Sequence, residues 1–344
     1  MLKTRYFTFV MPFLLVSLLL SVGCSKTPDE KFDTCLVKAA AGQPKALEQI
    51  EELLINAAIK ETFPNEERYS DGKILWKKTG NDINILYPQK ASFKMQNENM
   101  NLMRSVDSTT AAFSDEVNIF IFDLNGKLKK SFVAGTEKDP VQALTVSNGS
   151  VFYCQKNKIY QISETDDIGT VFVKDTFNPP YARLFNTAMY VNGNKLGLLL
   201  GVAGSYYFNV IDIEQKKTIN TQIRMSSANL FLKEDSVLYI SGDTGNWTFT
   251  KFQFASGRKN TYQRYKEIYN VDIFPNELIV EHGDGIYIGT SNKEDIKLPS
   301  TYVFKGQCGE LALIQYKDFF YGIDTAKLYS LLETTNKAIP DVFH

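Results

Sequence analysis

Helical periodicity ends near residue 73. Short apolar runs punctuated by Gly, Asn and Asp turns replace it, and comparable turns recur about every 36 to 50 residues. These observations predict a mainly β chain with the architecture of a β-propeller. Seven blades are expected, with six or eight also compatible, preceded by a short N-terminal helical segment. A large β-sandwich would also give regular strands and is the rival fold.

The chain opens with a basic pair, Lys3 and Arg5, followed by a largely apolar run from Phe7 to Leu20. That run has the length of a signal-peptide core and falls short of the roughly 20 apolar residues a spanning helix needs. It stops at Gly23-Cys24 and gives way at once to Ser25, Lys26, Pro28 and acids. The stretch "LLLSVGC" resembles the bacterial lipoprotein lipobox, with Ser21 where Leu is usual and Leu20 one place earlier. The resemblance implies that residues 1–23 are a cleaved leader. It further implies that the Cys24 thiol carries a diacylglycerol, so that the partner of this end is the lipid bilayer. Acyl chains supply membrane affinity at about 0.8 kcal/mol per buried CH₂. Lys26 stands where an Asp would retain such a protein at the inner membrane, which implies a cell-envelope location at the outer membrane, on either side of it.

Loss of the leader leaves 36 basic against 39 acidic residues, a net charge of −3. A balance this even argues against a nucleic-acid partner, which calls for a basic face. The abundance of Phe and Tyr, 24 and 18 residues, suits strands. Cys35, Cys154 and Cys308 are too widely spaced for a zinc motif. Buried thiols are expected there, and one disulfide is compatible with export.

Residues 24–32 read as a polar tether. A helical segment follows over 33–65. Asp33 can cap its start, Pro44 suits the first turn of a second helix, and Leu47, Ile50, Leu54, Ala57 and Ala58 share one face. Such a stripe packs on its own domain more often than on a partner.

The propeller is assigned to residues 70–344. "NIFIFDLNGKLKKSF", "YFNVIDIEQKKTIN" and "FTKFQFASGRKNTY" each join an alternating apolar strand, a polar turn and a second strand opened by basic residues. "FYGIDTAKLYSLLE" closes the series. These are hairpin signatures. Comparable turns fall near Gly80, Asn125, Glu164, Gln215, Ser256, Ser291 and Thr334, and each interval leaves room for two further strands. The stretch "FIFDLNGKLKKSF" resembles the blade pattern of NHL-type and six-bladed propellers, and "VIDIEQKKTI" is similar to the same place in YVTN-type propellers. Asp212 then matches Asp123, while Gly126 is not repeated at Gln215. A single blade cannot bury both faces, whereas stacked blades can, and a closed ring leaves few open edges.

Few residues point to chemistry. Asp123, Asn125 and Gly126 could begin a calcium loop, but Ala134 stands where the twelfth-position Glu belongs, so a turn is expected. Glu281, His282 and Asp284 in "EHGDG" could hold a metal or an acid–base pair. Gly283-Asp284-Gly285 also suits a hairpin turn, and neighbouring strand positions point to opposite faces. Tyr181 and Arg183 in "NPPYARLF" are typical interface anchors. Asn148-Gly149-Ser150 and Asn246-Trp247-Thr248 match glycosylation sequons and are read as turn chemistry. No Gly-x-Ser-x-Gly elbow, Walker A loop or dinucleotide fingerprint occurs. Trp76 and Trp247 are too few for the Trp-rich docking of quinoprotein propellers. No catalytic residue, metal site or cofactor is assigned.

The expected protein is a membrane-anchored envelope lipoprotein whose propeller binds a protein or glycan without chemistry. The alternative is an envelope enzyme acting on carbohydrate through carboxylates on the propeller axis, drawn from groups such as Asp166, Asp167 and Asp212.

Overall fold

The computed structural model describes residues 74–324 apart from 88–89, 97–102, 157, 167–168, 174–183, 203–204, 226–228, 244–245, 265–269, 276–277, 283–285, 291–292, 299–302, 310 and 317–318. All described residues belong to one compact unit, Glu61–Ala326. The leader, Cys24, the tether and the helical segment expected over 33–65 lie outside the described residues. Among those described, every regular element is a β-strand.

The strands form seven antiparallel sheets in strict chain order. The first holds β1 (Leu75–Thr79), β2 (Asp82–Tyr87) and β3 (Ala91–Lys94). The second holds β4 (Met103–Val106), β5 (Thr110–Ser114), β6 (Asn118–Asp123) and β7 (Leu128–Val133). The third holds β8 (Ala143–Ser147), β9 (Ser150–Gln155), β10 (Lys158–Ile162) and β11 (Thr170–Val173). The fourth holds β12 (Leu184–Asn192), β13 (Lys195–Val202), β14 (Ser205–Asp212) and β15 (Lys217–Met225). The fifth holds β16 (Leu230–Leu232), β17 (Ser236–Asp243), β18 (Asn246–Gln253) and β19 (Lys259–Arg264). The sixth holds β20 (Asn270–Ile273), β21 (Leu278–His282), β22 (Ile286–Thr290) and β23 (Lys293–Leu298). The seventh holds β24 (Val303–Cys308), β25 (Leu311–Tyr316) and β26 (Phe319–Asp324). Each sheet is a meander, with every strand hydrogen-bonded to the next in sequence.

The middle strands read as continuous apolar runs because both of their faces are covered. In β6, Phe120 and Phe122 join a core with the first sheet, while Ile119 and Ile121 join one with the third. In β9, Val151 and Tyr153 face back to the second sheet, and Phe152 and Cys154 face on to the fourth. The same alternation carries Leu199, Phe208 and Val210 of the fourth sheet against Val237 and Tyr239 of the fifth. It then carries Leu238, Ile240, Trp247 and Phe249 of the fifth against Val271 and Ile273 of the sixth. A period of two therefore supplies two interfaces from one strand. This serial face-to-face stacking of meanders is the architecture of a β-propeller.

Packing at these interfaces is close. Phe93, Phe113 and Phe122 form a trio across the first two sheets, with centroids 5.2 to 5.6 Å apart and rings tilted or edge-on. That geometry suits the ring quadrupoles. Between the fourth and fifth sheets, a Cβ on Gly197 would sit 2.3 Å from Phe208 Cζ, so only glycine admits the ring.

The fourth strands are different. In β7, Leu128, Lys129, Ser131 and Val133 are exposed, and Phe132 packs inward against Tyr153. The basic residues that open these strands, Lys129 in β7, Lys217 in β15 and Lys259 in β19, are exposed too. A strand with no further partner presents open hydrogen-bonding groups, and lysines on it oppose edge-to-edge association.

Turns follow the sequence signals in most places. The turns at Asn125, Glu164, Gln215 and Ser256 each join the third and fourth strands of a sheet, and Ser291 lies between β22 and β23. Gly80 instead joins the first and second strands of its three-stranded sheet, so it marks a different turn from the others. The turn near Thr334 lies outside the described residues. Asp123 and Asp212 both end a third strand and play matching parts. Asp123 Oδ1 accepts the amides of Asn125 and Lys127 at 3.0 and 2.9 Å, which is turn chemistry and not ion ligation. Asp212 Oδ1 accepts the Gln215 amide and Asn194 Nδ2, and its Oδ2 pairs with Lys195 Nζ at 2.9 Å. The glycine is not repeated because the left-handed residue moves. It is Gly126 (φ +80°), third in the first turn, and Lys216 (φ +51°), fourth in the second. Asn148-Gly149, both at positive φ, makes the two-residue turn between β8 and β9.

Two stability predictions follow from these contacts. Phe113→Ala opens the aromatic trio and should cost about 3–5 kcal/mol in urea unfolding, whereas Val133→Ala on the exposed strand should stay within about 0.5 kcal/mol. Equal losses would contradict the stacking described. The second concerns Asp212, whose carboxyl is held below its ordinary 3.8, first by the Gln215 amide and then by Lys195. A depressed carboxylate stabilises the fold above its unfolded value, and that contribution fades as pH falls through the folded value. Asp212→Asn should therefore melt below wild type at pH 7, with the gap closing below about pH 4. A gap independent of pH would show that the charge is immaterial.

Candidate functional site: the axial cavity

The first strand of each sheet lies beside the first strand of the next, from β4 to β8, β12, β16 and β20. These inner strands range from three residues in β16 to nine in β12, and several carry a polar residue such as Ser105, Thr145 or Asn192. Side chains join them in register. The Val146 amide donates to Ser105 Oγ at 3.1 Å, and Ser105 Oγ lies 3.5 Å from Thr145 Oγ1, linking β4 to β8. Asn192 Nδ2 donates to the Leu232 carbonyl at 2.9 Å, linking β12 to β16. At the ends of β4 and β8, the Gly149 amide donates to Asp107 Oδ2 at 3.0 Å. These contacts join like ends, so the linked inner strands run the same way.

The strands enclose a cavity of about 240 Å³. Its wall takes Ile74 from the start of the first sheet, Arg104, Ser105 and Val106 from β4, and Leu144 and Thr145 from β8. Ala188 to Asn192 come from β12, Leu230 to Leu232 from β16, and Gln307 from β24 of the seventh sheet. Residues from the first and seventh sheets thus meet at one cavity. The Arg104 guanidinium sits over the Trp76 ring, its Cζ 3.4 Å from the centroid. The contact crosses from the second sheet to the first and fixes the head group by cation–π attraction. Among the described lining residues Arg104 is the only charged side chain, and none is Asp or Glu.

The other sequence candidates lie elsewhere. Glu281 and His282 are consecutive positions of β21, paired with Tyr287 and Ile286 of β22. The hairpin expected at "EHGDG" is therefore formed. Asp284, between those strands, is outside the described residues, as are Tyr181 and Arg183 between β11 and β12. Asp166 Oδ2 accepts the Ser163 amide and hydroxyl at 2.7 and 2.8 Å. These bonds lower its pKa. Asp166 and Asp212 both serve turns, and neither lines the axial cavity; Asp167 lies outside the described residues. Cys154 and Cys308 are buried thiols in different sheets and are not bonded to each other. Burial pushes the Cys154 thiol up to about 12, which keeps it protonated and inert. Cys35 and Cys24 are outside the described residues.

Sequence reasoning passed over Arg104, Asn192 and Gln307. The available signal was weak: polar residues interrupting short strands that a middle-strand pattern would have kept apolar.

No family model matches the chain, and no curated protein matches it. Solved structures with detectable likeness include BamB from Moraxella catarrhalis, at 10% identity over 77% of this chain and 99% of that one, with a TM-score of 0.44. The Dos1 propeller matches at 10% identity over 78% and 86%, with a TM-score of 0.47. The Neurospora crassa Pan2 WD40 domain matches at 11% identity over 78% and 90%, with a TM-score of 0.48.

Proposed function

We propose that this chain is a lipid-anchored envelope protein whose propeller is a non-catalytic scaffold for a protein or glycan partner. In this reading residues 1–23 are removed, Cys24 is acylated, 24–32 is a tether, 33–65 is helical and 70–344 is a propeller of seven blades. The blade count is supported by the seven meanders and by the approach of Ile74 and Gln307 to one cavity. The observation that carries the scaffold reading is the use made of each sheet. In the second to fifth sheets both faces are consumed by neighbouring sheets, which leaves connections at the two ends as the display surface. An axial enzyme acting on carbohydrate needs converging carboxylates. The described cavity wall offers a guanidinium, hydroxyls and amides instead.

The anchor and the partner are tested separately. Cys24→Ala should move the protein from the membrane fraction to the soluble fraction, and unchanged retention would sink the lipid anchor. Mild crosslinking in intact envelope, followed by detergent capture, should enrich the same partner in replicates. Reproducible recovery of this chain alone would count against the scaffold. Protease treatment of intact cells settles the side: cleavage means surface display and full resistance means the inner face.

A further inference from the structure

We propose that Asn125-Gly126 is a site of spontaneous modification, converting in the folded protein to aspartate and isoaspartate, while the other two Asn-Gly pairs of the chain are held unreactive. The proposal is independent of the anchor and of the partner surface. The sequence contains three such pairs, Asn125-Gly126, Asn148-Gly149 and Asn192-Gly193. All three lie at hairpin turns, between β6 and β7, β8 and β9, and β12 and β13. Glycine leaves the attacking nitrogen unhindered in each. In the reaction the glycine nitrogen gives up its proton to water and attacks the asparagine Cγ. A C–N bond forms, and the side-chain amide leaves as ammonia after taking a proton from water. Water then opens the cyclic imide to aspartate or isoaspartate. Two conditions must be met. The side-chain amide must be able to swing toward the backbone, and the glycine nitrogen must be able to become an anion.

The three turns differ in both respects. At Asn192 the side-chain amide is held, with Nδ2 donating to the Leu232 carbonyl of the next sheet at 2.9 Å. At Asn148 the side chain is exposed, but the Gly149 amide donates to Asp107 Oδ2 at 3.0 Å, and a nitrogen anion there would face a carboxylate. At Asn125 the side chain is exposed, and no described residue engages its amide. The Gly126 nitrogen donates to the neutral Asp123 carbonyl at 3.0 Å. The Asp123 carboxylate belongs to the same turn, but Oδ1 accepts the Asn125 and Lys127 amides and Oδ2 lies 3.7 Å from Lys129 Nζ. Lys127 adjoins the glycine and is exposed, so positive charge beside the turn favours the nitrogen anion. The product has a consequence for the fold. Isoaspartate adds a methylene to the backbone of a turn in which Gly126 passes so close to β3 that a Cβ there would overlap the Ser92 carbonyl oxygen. Conversion therefore loosens the joint between the first and second sheets.

The test is peptide mapping by mass spectrometry of the full-length protein, aged in detergent at mildly alkaline pH and, in parallel, in denaturant. In the folded protein Asn125 should convert about tenfold faster than Asn148 and about fivefold faster than Asn192, the factors set by a charge-assisted and a neutral hydrogen bond. In denaturant the three should convert at similar rates, because each is followed by glycine. Asp107→Ala should speed conversion at Asn148 by about tenfold and leave Asn125 unchanged. No conversion at Asn125, or Asn148 or Asn192 keeping pace with it in the folded protein, would overturn the proposal. The same order of rates in denaturant would also overturn it, since local sequence and not the turns would then set the order. The folded and denatured comparison decides the matter even if Asp107→Ala does not fold. Aged protein should melt below fresh protein in proportion to its isoaspartate at position 125, and unchanged melting would overturn the loosening of the sheet joint.

Discussion

Everything in the described unit depends on one constraint: a four-stranded meander has two apolar faces and can cover neither alone. Each sheet must be sandwiched between the sheets before and after it in the chain. From the second sheet to the fifth the consecutive cores meet this requirement. Odd and even positions of one strand go to different interfaces, as Ile119 and Phe120 do. Fully burying such a side chain contributes about 1.5–3 kcal/mol, so an interface of ten buried residues outweighs any single hydrogen bond or ion pair in the molecule. The turn carboxylates Asp123 and Asp212 have a smaller part: they fix where a strand reverses, and packing decides that it stays.

From this constraint the chemistry of each strand follows by position. Middle strands are apolar on both faces. Outer strands keep an inward residue such as Phe132 and turn lysines outward. Inner strands line the axial cavity with bulky apolar residues such as Leu144, Met189 and Phe231 and with polar ones between them. Ser105, Thr145 and Asn192 are among the polar ones, and each meets a group of the neighbouring sheet. The axial cavity is thus a product of sheet geometry before it is a site. Within its wall Arg104 is held against Trp76, a contact that joins the second sheet to the first.

This hierarchy explains what could be read in the sequence. The hairpins "NIFIFDLNGKLKKSF" and "YFNVIDIEQKKTIN" were legible because alternation, a turn carboxylate and an opening lysine are all local. The intermediate strands in "GSVFYCQKNK" and "DSVLYISGDTG" were legible for the same reason. The Gly80 turn was placed in the wrong position of its sheet because a turn signal does not say which strands it joins. The absence of a glycine at Gln215 has a local cause that only backbone angles reveal, a left-handed residue moved one place to Lys216. The cavity was not legible at all. Arg104 and Trp76 are 28 positions apart, and Arg104 and Gln307 are 203 apart; nothing local in their neighbourhoods announces a shared wall. Carboxylates such as Asp212 drew attention as candidate acids because their number is visible in sequence, whereas their employment in turns is not.

The same geometry separates the molecule's tasks. Inter-sheet cores carry stability, the connections lie at the sheet ends, and the inner edges carry the cavity. The layers touch where they meet: Phe113, in the core between the first two sheets, is the register partner of Arg104 in the cavity wall. An anchor of the kind proposed at Cys24 would add no further demand on the fold, since acyl chains need no structure from the protein to enter a bilayer. A scaffold organised in this way can change its partner by changing its connections alone.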